Sequence, residues 1–287
     1  MDLWTLINPV LKFIIYAASF GSVGSLLFNL HFYRQLTEYQ QSYCHSLYHK
    51  STLIGAITSL LLFLSVAGNL GGDFASVIDP LMLQLAIETK SGVGYLTAFM
   101  GFVVMLVAHK LQSKARKIIL IIGSVSVLFS FTLAGHALVG KLLTQALLML
   151  HLLGIAFWLG ALLPFRWICL QSDTTNLLGL AHRFGVLAMV YVGLIVIAGL
   201  TYAYTLLGEA SLLFTTSYGN VLLVKIMLVA VLLSLAALNK FKLVPELEKN
   251  PLQGIRKFKF SVQLEIALSI VILLTSSLLT TTLPLPM

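Results

Sequence analysis

Charge is what this chain has least of. Asp, Glu, Lys and Arg make up 10% of its 287 residues, against about 25% in a soluble globular domain, and that scarcity excludes a water-soluble fold of domain size. Cysteine is nearly absent as well. Cys44 and Cys169 are the two, and both fall on the side that the charge pattern below assigns to the reducing cytoplasm, so no structural disulfide is expected. The start, MDLWTLINPV, lacks the basic n-region of a secretory signal, and no small-residue cleavage site precedes HFYR; the first apolar segment is expected to be retained. There is no GxSxG, Walker loop, HExxH or pair of carboxylates inside an apolar segment. Hydrolysis and group transfer therefore have no support, and the chain does not read as an enzyme. No internal repeat or low-complexity tract divides it.

What the chain has is apolar length. Hydrophobic residues are 59% of it, and the mean hydropathy is +0.97. A helix needs about 20 predominantly apolar residues to cross a hydrocarbon core of about 30 Å, and eight stretches qualify: Asn8 to Leu30, Thr52 to Leu70, Gly92 to His109, Ile118 to Val139, Thr144 to Cys169, Phe184 to Leu207, Asn220 to Leu238 and Val262 to Leu283. The expected fold is all-α, a polytopic membrane bundle of eight transmembrane helices forming one domain over 1–287.

The net charge of +8 is an orientation signal rather than a nucleic-acid footprint, because cytoplasmic loops collect Lys and Arg. Alternate loops hold Arg34 and Lys50; Lys110, Lys114, Arg116 and Lys117; Arg166 and Arg183; and Lys240, Lys242, Lys249, Arg256, Lys257 and Lys259, fourteen of the eighteen basic residues. The other loops hold Lys90 and Lys141, with Lys12 and Lys225 inside helices. Both termini are expected on the outer, periplasmic side. Three loops are long. Residues 31–50 are polar and extend the first two helices inward. Residues 71–92 carry Asp73, Asp79 and Glu88, with Pro80 placed to start an interfacial helix. Residues 240–260 are basic and broken by Pro245 and Pro251.

Small residues such as Gly21, Gly24, Ser25, Gly154 and Gly160 allow close helix approach in lipid. Trp4, Tyr191, Tyr202, Tyr204 and Tyr218 read as interface anchors. His31, His109 and His182 lie at inner helix ends and read as interfacial.

Two histidines need a reason. In GHALVGKLLTQALLMLHLLG, His136 precedes and His151 follows a tight Gly140-Lys141 connection, so both lie about 5 to 11 Å beneath the outer surface on antiparallel helices. Each imidazole either hydrogen-bonds a neighbouring helix or joins the other in holding a ligand, imidazole being the commonest metal ligand. Met149 lies about 200° around the helix from His151 and cannot share its face. Lys225 stands two turns inside a helix, where an ammonium costs about 2.5 to 3.5 kcal/mol on insertion scales; it snorkels or pairs with one of the outward carboxylates Asp73, Asp79, Glu88 and Glu209. On the inner side Glu265 is expected in an ion-pair clasp with Arg183, Asn239 and Arg256 or Lys257. In YCHSLYH, the group Cys44, His45 and His49 is a weaker metal candidate beside the simpler reading of a solvated amphipathic turn.

The ordered set Gly135-His136-Ala137, His151-Leu152, Trp158-x-Gly160 with Leu163-Pro164, Tyr218-Gly219-x-x-Leu222-x-x-Lys225, Asn239 with Pro245, and Ser261-Val262-x-x-Glu265 resembles the copper resistance D (CopD/PcoD) family of bacterial inner-membrane proteins, most densely over residues 135–283. The resemblance implies copper handling at the cytoplasmic membrane, inward movement of the ion, and a periplasmic copper-binding partner of the CopC type. It places His136, His151, Trp158, Tyr218, Lys225 and Glu265 on motif positions. Two departures stand out: Ala161 follows Gly160 where the family commonly has a second glycine, which bears on packing rather than ligation, and the CopC-like domain fused in some relatives is not seen in these 287 residues, so that partner is expected to be a separate protein.

Two histidines leave a copper site incomplete. Met82, Glu88 or a donor from a partner protein is expected to supply a third ligand. The competing readings are a b-type haem redox protein with histidine axial ligands and an assembly or scaffold protein with structural histidines.

Overall fold

The computed structural model describes residues 3–109, 111, 115–133, 141–207 and 211–281. Eleven helices order along them: α1 (Leu3–Phe32), α2 (Glu38–Gly71), α3 (Pro80–Glu88), α4 (Lys90–His109), α5 (Ala115–Ser130), α6 (Lys141–Ile168), α7 (Leu177–Leu207), α8 (Leu212–Thr215), α9 (Ser217–Leu238), α10 (Val244–Lys249) and α11 (Pro251–Thr281), with a π turn over Asn239–Leu243. No strand occurs among the described residues.

Among the described residues, seven helical segments are long and apolar enough to cross a membrane: Trp4–Phe32, Glu38–Gly71, Lys90–His109, Leu142–Ile168, Leu177–Thr205, Ser217–Lys249 and Pro251–Thr281. The sequence predicted eight. The difference is the segment Ile118 to Val139, of which α5 is the described part; it has 16 residues, and residues 134–140 lie outside the described set.

Local signals set the ends. Thr37 caps α2 in a reciprocal box with Gln40, the Gln40 N–H donating to Thr37 Oγ1 at 3.3 Å and the Thr37 N–H to Gln40 Oε1 at 3.1 Å, which satisfies two otherwise orphaned donors. At α3 the Asp79 carboxylate accepts from Leu81 N–H at 2.8 Å and Met82 N–H at 3.0 Å, ahead of Pro80 in the first turn. In lipid, hydroxyls with no water to meet turn back on their own helices: Ser19 donates to the Ile15 carbonyl at 2.7 Å and Ser25 to Gly21 at 2.6 Å.

The first helix is the hub. It packs on α2, α6 and α11, while α4 bridges α2 and α5, α7 rests on α6, and α9 rests on α11. At the α1/α6 crossing, Gly24 and Gly160 meet backbone to backbone. A Cβ on Gly24 would collide with the Ala156 carbonyl and with Gly160, and one on Gly160 with Gly24. Two glycines are what permit that approach. Below the crossing lies an aromatic core in which Phe28 meets Phe165 edge-on at 5.5 Å, and Phe165 meets Phe258 at 5.8 Å. Each such pair is worth about 0.5 to 1.5 kcal/mol beyond its buried area. Ala161 is fully buried in this core, so its methyl is packed without displacing the crossing.

Candidate functional site

Above the crossing the helices part around a cavity of about 510 Å³. Its walls come from α1, α6, α7, α9 and α11, with the beginning of α4 and the end of α5 closing one side. His151, Trp158, Tyr218 and Lys225, singled out separately in the sequence, all line it, and so does Lys12. Counted from the N-terminal ends of α1, α6 and α9, the residues Lys12, His151 and Lys225 lie about 12 to 15 Å into the bundle. They share a level.

His151 is oriented by its surroundings. Its Nδ1 lies 3.0 Å from the Ile195 carbonyl of α7. A carbonyl only accepts, so Nδ1 carries the proton and Nε2 keeps its lone pair. A backbone hydrogen bond of this kind is the usual outer support of a metal-binding imidazole. Gly199 makes room for it: a Cβ there would stand 3.0 Å from His151 Cε1 and 3.1 Å from Nδ1.

The two lysines differ in their partners. Lys12 donates to the Tyr95 hydroxyl at 3.0 Å, with Nζ 5.0 Å from the centre of that ring. No described carboxylate reaches Lys225: the single ion pair among the described residues is Lys257 with Glu246 at 2.6 Å. Asp73 instead accepts from the Ser76 N–H and hydroxyl at 2.8 and 2.6 Å, Asp79 caps α3, and Glu88 is exposed. Glu209 and His136 lie outside the described residues. Lys12 escaped the sequence reading because one cation in a first helix passes for a flanking charge; the signal available was its depth, equal to that of Lys225.

The Glu265 clasp keeps Asn239, but Trp158 takes the place expected of a cation. Trp158 Nε1 donates to Glu265 Oε2 at 3.0 Å, and Asn239 Nδ2 donates to Oε1. Glu265 is 3% exposed. Arg183 is not part of it. Its guanidinium sits 6.0 Å from the centre of the Phe32 ring, on a helix that packs chiefly against α6 and has no comparable packing on α11. Lys257 is drawn off to Glu246. The π turn over Asn239–Leu243 brings Asn239 inward, at 8% exposure, which an α-helical wheel does not anticipate. Trp158 thus belongs both to the cavity wall and to the clasp.

The other expected ligands are dispersed. Met82 packs with Phe63, Ala67 and Ala86, and neither it nor Glu88 lines the cavity. Cys44 is buried in the aromatic core, His45 faces Asn29 at 3.4 Å, and His49 stacks on His109 with ring centres 4.9 Å apart. Successive helical positions are turned by about 100°, which is why Cys44 and His45 diverge. Among the described residues no three His, Cys, Asp or Glu side chains gather as a metal would require. Cys169 is buried in the same core as Cys44.

Of the expected interface anchors, Tyr204 is exposed, but Tyr191 stacks on Phe157 at 4.0 Å and its hydroxyl lies 3.4 Å from His31 Nε2. Tyr202 and Tyr218 line the cavity. Trp4 is buried against Phe74.

Two family models match the chain. Copper resistance protein D matches residues 178–279, and the copper resistance protein D-like N-terminal domain matches residues 1–141. The chain belongs to the copper resistance protein D family. The matched ranges take in α1 to α5 and α7 to α11, and most of α6, with His151 and Trp158, falls between them. Among curated relatives, the chain is similar to Inner membrane protein YebZ of Escherichia coli (strain K12), 26% identical over 237 residues, 79% of this chain and 81% of that protein. It is also similar to Copper transport protein CutJ of Bacillus subtilis (strain 168), 27% identical over 284 residues, 93% of this chain. The chain spans about half the length of CutJ, 51%. No solved structure matches.

Proposed function

We propose that this multi-pass inner-membrane protein transports or relays copper, with His151 as a donor in a cavity open toward the periplasm. Family membership supports a copper-related role, and the printed name of CutJ, carried over as a proposal, makes that role transport. The observation that carries the residue assignment is the locked tautomer: Nδ1 is held by the Ile195 carbonyl, which leaves Nε2 as the metal-facing nitrogen. Copper is the cargo here, not a resident cofactor. One imidazole, joined by His136, gives an open, weak site, and an ion held too tightly does not leave. A periplasmic CopC-type protein hands copper in. Both termini then face the periplasm, α5 being the eighth crossing.

The test is copper accumulation in cells carrying His136→Ala with His151→Ala, beside the copper content of the purified protein. Accumulation falls to the level of cells lacking the protein, while membrane insertion is unchanged; normal accumulation in the double variant sinks the assignment. The size and apolar lining of the cavity, with one imidazole nitrogen free, also favour a b-type haem reading. A purified sample with no Soret band removes it.

A further inference from the structure

Among the described residues the cavity has charge of one sign. Its described lining includes Lys12 and Lys225 and no carboxylate, and no described carboxylate lies within ion-pair distance of either lysine. Placing an ammonium at helix-centre depth costs about 2.5 to 3.5 kcal/mol on insertion scales. Lys12 is offset in part by the neutral Tyr95 hydroxyl; Lys225, held at the same level, has no described counter-ion. A bare copper ion adds more positive charge to that space. What the arrangement calls for is an anion.

The cavity is also loosely walled on one side. Helix α7 rests on α6 and α9 rests on α11, but α7 and α9 have no comparable packing on each other. On these two helices Leu200, at 61% exposure, and Ile226, at 40%, line the cavity and keep much of their apolar surface accessible. This side is apolar and lies within the spans Leu177–Thr205 and Ser217–Lys249. A small hydrated anion has no business there, because its desolvation is not compensated by an apolar wall.

From these two observations we infer that the cavity takes an amphiphilic anion from the lipid phase, its acidic head between Lys12 and Lys225 and its apolar body in the α7/α9 gap. Charge-assisted hydrogen bonds from two ammonium groups hold the head, and the tail replaces lipid that the unpacked helix faces would otherwise meet. The occupant neutralises the lysines beside His151 without using the imidazole Nε2. The inference does not rest on the copper reading and stands or falls separately from it.

The experiment uses Trp158, which lines the cavity. Trp4→Phe and Trp167→Phe leave it the sole tryptophan of the three. The purified full-length protein is titrated with dibromostearate, with brominated phosphatidylglycerol and with neutral brominated phosphatidylcholine, reading bromine quenching of Trp158. Saturable quenching is expected from the fatty acid or from the anionic phospholipid, and which of the two saturates at lower mole fraction identifies the source. Lys12→Met with Lys225→Met raises the half-saturating fraction by about tenfold or more, whereas Lys12→Arg with Lys225→Arg leaves it near the starting value. Where the Met pair does not fold, Lys225→Met alone gives the same direction. Equal quenching by the neutral lipid, no saturation by either anion, or an unchanged midpoint in the Met variants overturns the proposal.

Discussion

The two polar regions of this bundle solve the problem of charge in lipid in opposite ways. On one side of the Gly24/Gly160 crossing Glu265 is enclosed, and each carboxylate oxygen accepts an N–H from a neutral side chain, Trp158 or Asn239. On the other, Lys12 and Lys225 line a cavity that no described carboxylate enters. A buried charge with its hydrogen bonds completed by the fold is a fastener; one left for something else to complete marks a site. Trp158 connects the two, its ring in the wall of the cavity and its N–H on the clasp.

That contrast can be broken most forcefully at the fastener. Glu265→Ala leaves the Trp158 and Asn239 donors unpaired and is expected to lower stability by about 3 kcal/mol, read as loss of monodisperse protein on heating in detergent. Glu265→Gln, which keeps one acceptor oxygen, loses less. Gly160→Leu comes next: with Gly24 against it, the side chain forces α1 and α6 apart, at about 1 to 3 kcal/mol, and the same thermal assay reports it together with a lower yield of folded protein.

At the open site the effect moves from stability to activity. His151→Ala removes one hydrogen bond to the Ile195 carbonyl, worth about 0.6 kcal/mol for a polar contact between membrane helices, so the melting behaviour changes little while copper accumulation drops. Gly199→Val crowds the same ring from α7, tilting Nδ1 off its acceptor; uptake falls by a smaller factor than in His151→Ala, and a variant that takes up copper normally separates the ring's orientation from its function. The smallest change is at Arg183. Its contact with the Phe32 ring is worth about 0.5 to 1 kcal/mol at an exposed site, so Arg183→Ala leaves the clasp and the melting transition nearly as they were. A loss as large as that of Glu265→Ala would return Arg183 to the clasp.

Individual residues show why some of this was legible in advance. Glu265 and Lys225 announce themselves because an ionisable residue inside an apolar run has few reasons to be there. Their partners do so only in part. Asn239 is legible beside Glu265 as a polar residue at a helix end, and electrostatics favours Arg183, but Trp158 arrives through helix packing, which has no signature in hydropathy. Asp79 with Pro80 reads directly as a helix start, being local chemistry, and α3 begins there. The interface role expected of Tyr191 and Tyr202 failed for the converse reason. An aromatic near a helix end looks the same in sequence whether its helix face meets headgroups or, as with Tyr191 on Phe157, another ring.

The sequence by itself determined that this chain is an all-α membrane protein and which few polar residues its apolar segments carry, because a hydrocarbon core imposes length and apolarity on every crossing segment. The ordered motifs also sufficed to indicate the copper resistance D family. Only the tertiary structure decided that Trp158 rather than Arg183 joins Asn239 on Glu265, that Lys12 joins Lys225 and His151 around one cavity, and that α7 and α9 stand apart beside it. Those are relations between helices, set by where two glycines let backbones touch and by which faces find a partner.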